Sequence, residues 1–216
     1  MLYLKYITII VFILYCVNAR SEKVIMAFGQ SLEPYVIEKN NSGVELSIIK
    51  EALALEGHEL VPVYTQLGKI AFMFEQGKVD AAQRYITTDK KSKETFYGNV
   101  TVQYHAAFFS LDKKNVIIES PSDLKKYSLV SFQGAKLQYS RWLTNDYKHS
   151  QTAAQINQVK LLQKGLVDIV LSDKHIFSYN SNLFRLSSND ELNDIRMHLF
   201  TPPFKYNPVF KSKNIA

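Results

Sequence analysis

The chain has 216 residues, 46% of them hydrophobic and 21% charged, with 26 lysines and arginines against 20 aspartates and glutamates and a formal net charge of +6. Its single cysteine, Cys16, excludes an internal disulfide framework and a thiolate metal cluster. Apart from short runs at Lys90 to Lys93, Lys113 to Lys114 and Lys125 to Lys126 the basic residues are scattered, which is the pattern of a solvated surface, and no nucleic-acid partner is expected.

In chain order, residues 1–19 (MLYLKYITIIVFILYCVNA) carry one charge, Lys5, and then an apolar run from Tyr6 to Val17. That run is shorter than the roughly 18 to 20 residues a spanning helix needs, and Val17 and Ala19 form the small pair of a cleavage site. A cleavable signal peptide and a periplasmic location are expected. A lipid anchor on Cys16 is the rival reading, opposed by the bulky Tyr15 before it. The mature chain, about 200 residues without cysteine, has room for two lobes of about 100 residues each.

KVIMAF (23–28) reads as a buried strand. SGVELSIIKEALALEG then places Val44, Ile48, Ile49, Ala52, Leu53 and Leu55 at helical spacing, with Ser42 as a cap and Gly57 as the stop. ELVPVYT is a second strand, LGKIAFMFEQG a helix and VDAAQRY a third strand. The cadence repeats with a strand at 104–111, a capped short helix at SPSDLKKY, a strand at SLVSF, helices at AKLQYSRWLTNDY and AAQINQVKLLQKG, and a strand at VDIVLSD. RMHLF and NPVFKS read as extended segments near the end. Alternating strands and helices predict parallel sheets with crossover helices, an α/β class. The near-copies EQGKVDAA and QKGLVDIV mark matching places in two units. The expected organisation is a first lobe of residues 22–106 and 196–216 and a second of 107–195, with a cleft where the carboxyl ends of the strands face each other.

Four segments in this order, EPYVIEKNNSGVELSIIKEAL, GKVDAAQRYITTDKKSKETF, SPSDLKKYSLVSFQGA and KGLVDIVLSDKHIF, resemble the extracellular solute-binding proteins of family 3, the periplasmic amino-acid-binding type of ABC importers. The resemblance implies a type II periplasmic-binding-protein fold, two α/β lobes closing by a hinge on a small molecule. It also implies a monomer without cofactor that hands its ligand to an ABC permease in the inner membrane. In that family an arginine grips the ligand carboxylate, an aspartate takes its ammonium, and a loop of the second lobe offers backbone N–H groups. The aspartate is matched by Asp173, the arginine position falls on Lys90, the strand hydroxyl positions fall on Ala82, Gln83 and Tyr85, and the loop is Gly134, Ala135 and Lys136. Lysine offers a point charge where arginine offers a planar fork, so the carboxylate half of the pocket is rebuilt. FKSKNIA reads as a strand entering the first turn of a helix, from which the family fold is expected to continue.

Lys90 and Lys136 are thus candidate anion contacts, set against a reading as solvated surface lysines. Asp173 is a candidate ammonium contact that also suits the N-cap of the helix beginning KHIFSY. Tyr35, Tyr85 and Phe132 are candidate stacking groups, or ordinary core. The five histidines show no metal-ligand spacing, and no nucleophile elbow or phosphate loop occurs. A sensory module is the alternative function. An enzyme is the weaker one, because Asp173 with Glu33 is the one acid/base pair that can be named.

Overall fold

The computed structural model describes residues 21–85, 95–144, 148–188, 191–199, 202–213 and 215. Residues 1–19, read above as a signal peptide, and Lys90 lie outside the described residues.

The first sheet is built on β1 (Glu22–Gly29), which pairs in parallel with β2 (His58–Thr65) on one side and β3 (Ala81–Ala82) on the other. Helices α1 (Val44–Leu55) and α2 (Ile70–Glu75) make the crossovers. Along β1 the side chains alternate: Val24, Met26 and Phe28 enter a core with Leu46, Ile49 and Leu53 of α1, while Ala27 enters the opposite core with Ile70 and Phe74 of α2. Both faces are covered, so the strand reads as a continuous apolar run.

The next strands carry the chain across. β4 (Phe96–Tyr97) closes the edge of the first sheet, β5 (Val102–Tyr104) leads out of it, and β6 (Ala106–Leu111) starts the second. The second sheet, in the order β10-β6-β9-β7-β8, adds β7 (Leu129–Phe132), β8 (His149–Thr152), β9 (Ile169–Asp173) and β10 (Ile195–Leu199). β7 runs parallel to β8 and β9, and β6 runs antiparallel to β9. Phe108 and Phe109 fall on opposite faces of β6, one against Leu129 and Leu171, the other against Val159, Leu162 and Phe177. Helices α3 (Ala135–Gln138), α4 (Ile156–Gln163) and α5 (Lys174–Ser187) flank this sheet. The return path is β11 (Phe204–Tyr206), antiparallel to β5, followed by β12 (Val209–Phe210) between β3 and β4. Both crossings between lobes therefore run side by side, as the β5/β11 ribbon.

The two near-copies are one device used twice. Gly77 and Gly165 both adopt positive φ, 69° and 67°, and each ends its helix with a Schellman pair: Gly77 N and Lys78 N donate to Phe74 O and Met73 O, Gly165 N and Leu166 N to Leu162 O and Leu161 O. Three residues beyond each glycine an aspartate pins the coming strand to its neighbour. Asp80 Oδ2 accepts from Ile25 N at 2.9 Å, and Asp168 Oδ2 accepts from Ser128 N at 2.9 Å and Ser128 Oγ at 2.7 Å.

Two expectations are corrected. Ile195–Leu199 pairs antiparallel with β6, so the chain returns to the first sheet after this strand and not at residue 196. The helix expected over 135–147 ends at Gln138, because Tyr139 leaves helical geometry (φ −116°, ψ 38°) while its ring is held edge-on to Phe132 and Phe204.

Candidate functional site

The carboxyl ends of the parallel strands of both sheets converge on one interlobe pocket. Leu32 follows β1, Leu67 follows β2 and Arg84 follows β3; from the second lobe come Phe132 at the end of β7, Gln155 after β8 and Asp173 at the end of β9. Tyr104 and Ala106, on either side of the crossing, form the floor. The cavity measures about 20 Å³, room for about one water. It adjoins a larger one of about 240 Å³ that shares Leu67, Phe132 and Gln155. The lobes touch here: Gln155 Nε2 donates to Ser31 O across the cleft at 2.8 Å, while its Oε1 accepts from Ser172 Oγ at 3.0 Å.

Arg84 dominates the first-lobe wall. It is 6% exposed, and its guanidinium lies 4.0 Å from the Tyr104 ring centroid and 4.7 Å from that of Tyr206. Its Nε and the Tyr206 hydroxyl are buried without hydrogen-bond partners, and among the described residues no carboxylate lies within ion-pair distance of it. Burial works against the charge, but Tyr104, Tyr206 and Glu45 outweigh it and hold the group above the ordinary arginine pKa.

Behind Arg84 lies a fully buried carboxylate. Glu45 Oε2 accepts from Tyr104 Oη at 2.6 Å and from Gln83 Nε2, and its Oε1 accepts from Thr101 Oγ1 at 3.1 Å. Gln83 Nε2 also donates to Tyr104 Oη at 3.0 Å, and Gln83 Oε1 accepts from Gly29 N at 3.1 Å. An electron-rich ring is the better cation partner, so a carboxylate accepting the Tyr104 proton strengthens the stack on Arg84. Glu45 is carried in by a tight approach: Gly43, at φ 119°, lets the start of α1 dock on the 34–36 backbone, where Glu45 N donates to Tyr35 O at 3.0 Å.

The candidate residues fall in different places. Asp173 lines the pocket and is also the N-cap of α5, its Oδ1 accepting from His175 N at 2.9 Å and Ile176 N at 3.1 Å and its Oδ2 from His105 N at 2.6 Å. Phe132 lines the pocket, the 240 Å³ cavity and a further cavity of about 70 Å³, and Gly134, at φ 87°, lines this last one with Arg84. Tyr35 is buried beside the pocket, its ring 4.5 Å from that of Tyr104, and burial together with the Asp173 carboxylate pushes its hydroxyl pKa up. Gln83 is wholly buried in the Glu45 network. Tyr85 points elsewhere, donating to Glu75 Oε1 at 2.9 Å with its ring edge-on to Phe74. Lys136 is exposed and is not among the pocket-lining residues. Among the described residues no group of three or more His, Cys, Asp or Glu side chains is placed to hold a metal ion.

Sequence reasoning missed Arg84 and Glu45. Glu45 stands at i relative to Ile49 and Leu53, the buried face of α1, and a carboxylate on an apolar stripe is the signal that could have found it. Arg84 lies two residues beyond a buried strand, at the strand end where ligands of such sheets bind.

No protein-family model matches the chain, and no curated protein does. Solved structures do. A histidine kinase sensor domain with similarity to periplasmic binding proteins superposes with a TM-score of 0.69 at 12% identity, over 91% of this chain and 85% of its own. An ancestral arginine-binding protein bound to arginine gives 0.69 at 15% identity, over 89% and 85%. The BvgS VFT2 domain of Bordetella pertussis, as a double mutant, gives 0.65 at 12% identity, over 87% and 80%. At these identities the likeness is one of fold, and that fold is the two-lobe periplasmic-binding-protein architecture, with an α/β sheet in each lobe and the pocket between them.

Proposed function

We propose that this chain is an exported, periplasmic solute-binding protein that captures a small polar solute, an amino acid or a related compound, between its lobes and does no covalent chemistry on it. The observation that carries the reading is the interlobe pocket, whose wall takes a residue from a strand end of either lobe and sets Arg84 of one lobe on the same cavity as Asp173 of the other. Asp173 uses its oxygens on three backbone amides, which suits a fixed binding carboxylate better than a group that must exchange protons. Phe132 and Gly134 are the proposed second-lobe contacts, Tyr35 and Gln83 support the first-lobe wall, and Lys90 is proposed to add positive charge. In this reading the protein acts as a monomer without cofactor and delivers its solute to an ABC permease of the inner membrane. A sensory role is the second reading, favoured by the likeness to a kinase sensor domain and to BvgS VFT2.

The test is a thermal-shift screen against amino acids, polyamines, dicarboxylates and small sugars, since binding to the native state alone raises the melting temperature by mass action. A shift with one solute class, lost in Asp173→Ala, supports the reading. No shift with any of them overturns it.

A further inference from the structure

We infer that Arg84 is a tethered occupant of the interlobe pocket: its guanidinium fills the deep end of the cleft and holds the lobes together, and a solute enters by displacing it. The inference rests on the solute-binding reading above and adds a regulation of that same site.

Two aromatic faces turned to one cavity make a seat for a cationic group. Here the cation is the chain's own, with the Arg84 guanidinium 4.0 Å from the Tyr104 ring centroid and 4.7 Å from that of Tyr206. Tyr104 ends β5 and Tyr206 ends β11, so one side chain spans both strands of the crossing ribbon. From these two rings an aromatic path runs into each lobe. Tyr35 of the first lobe lies 4.5 Å from Tyr104. Toward the second lobe Tyr206 stacks on Phe204 at 6.5 Å, Phe204 meets Tyr139 edge-on at 5.2 Å, and Tyr139 meets Phe132 at 6.2 Å. Arg84 therefore sits midway along a wall that joins the lobes. What it leaves open at the pocket is about 20 Å³, which holds about one water and no amino acid.

The occupant is held by ring faces and not by an ion pair, which makes it displaceable. Arg84 Nε is buried without a partner, and Glu45, behind the Tyr104 ring, spends its oxygens on Gln83, Tyr104 and Thr101. A cation stacked in this way leaves no buried counter-ion unpaired when it moves. It also has somewhere to go: Arg84 lines the neighbouring cavity of about 70 Å³, where Gly68, Ala71 and Gly134 present little side chain. The cost of moving Arg84 is then subtracted from the affinity of every solute that enters the pocket.

The experiment compares the full chain, as wild type and as Arg84→Ala, with N-ethylguanidinium as the probe, the fragment that the substitution excises. Small-angle scattering without additive is expected to give the wild type the radius of gyration of the lobe arrangement described above and Arg84→Ala a larger one, which ethylguanidinium returns to the wild-type value. Calorimetry is expected to show ethylguanidinium binding to Arg84→Ala at least about tenfold tighter than to the wild type. A wild type that scatters as an open form, an Arg84→Ala protein of unchanged radius, or equal binding of ethylguanidinium to both proteins overturns the inference, and each of these leaves solute binding standing. The solute-binding reading falls separately, if no solute in the thermal-shift screen moves the melting temperature of the wild type or of Arg84→Ala. Should Arg84→Ala fail to fold, the wild-type radius decides by itself: that of the closed lobes supports the inference and a larger one overturns it.

Discussion

Removing Glu45 tests the buried network that holds Arg84 and Tyr104 in place. Glu45→Ala deletes the acceptor of Tyr104 Oη, Gln83 Nε2 and Thr101 Oγ1, two of them wholly buried donors. Hydrogen bonds to a charged acceptor contribute about 1.5 to 3 kcal/mol each, and part of that sum is offset because the carboxylate no longer has to be desolvated. Gln83 and Tyr104 also keep their mutual bond of 3.0 Å. The net expectation is a loss of about 3 to 5 kcal/mol, the range found on breaking a buried charged cluster. Glu45→Gln keeps one acceptor oxygen but turns an amide N–H toward a donor, and is expected to cost about 1 to 2 kcal/mol. Urea unfolding followed by far-UV circular dichroism measures both. A Glu45→Ala protein within 1 kcal/mol of wild type would show that the network does not stabilise the fold and would refute the reasoning.

Other positions give independent tests. A Cβ at Gly43 would lie 2.3 Å from Tyr35 O at a φ of 119°, so Gly43→Ala is expected to cost about 3 kcal/mol in the same unfolding assay. At Gly165 nothing lies within 4 Å of an added Cβ and only the φ of 67° is strained, so Gly165→Ala should cost about 1 kcal/mol, and a similar loss at both glycines would contradict the distinction. Asp168, despite partial burial, is held below the usual carboxylate pKa by Lys114 Nζ at 2.5 Å and by Ser128. Its contribution is therefore present above about pH 4 and lost as pH falls through its depressed folded pKa, and Asp168→Asn should flatten the acid limb of a stability-against-pH curve. Gln155→Ala removes the bridge to Ser31 and is expected to favour the open cleft by about 1 kcal/mol, read as a larger radius of gyration in solution scattering.

The architecture was legible because it is written in periodicity. α1 shows its apolar spacing, and the paired segments EQGKVDAA and QKGLVDIV announce a repeated helix stop and strand start, now seen as twin Schellman glycines with pinning aspartates. The pairing of 195–199 was hidden, because an edge strand with exposed Met197 and Leu199 carries no sign of which sheet it joins. The pocket was legible where a strand end carries a polar residue, as at Asp173, and opaque where tertiary contacts decide. Tyr85 and Arg84 are neighbours in sequence, yet Tyr85 turns toward Glu75 and Arg84 enters the cleft, a choice made by the stack on Tyr104 and Tyr206. Tyr206 arrives from the far end of the chain, which no local pattern around Arg84 could reveal.

The central claim is that one solute site lies between the lobes. Hydrogen-exchange protection, measured with and without a solute that raises the melting temperature, tests it most directly. The account predicts that added protection falls on the strand ends of both lobes together, around residues 83–84, 132–134, 155 and 173. Protection confined to a single lobe, or centred on the apolar groove between α1 and residues 98–101, would contradict it.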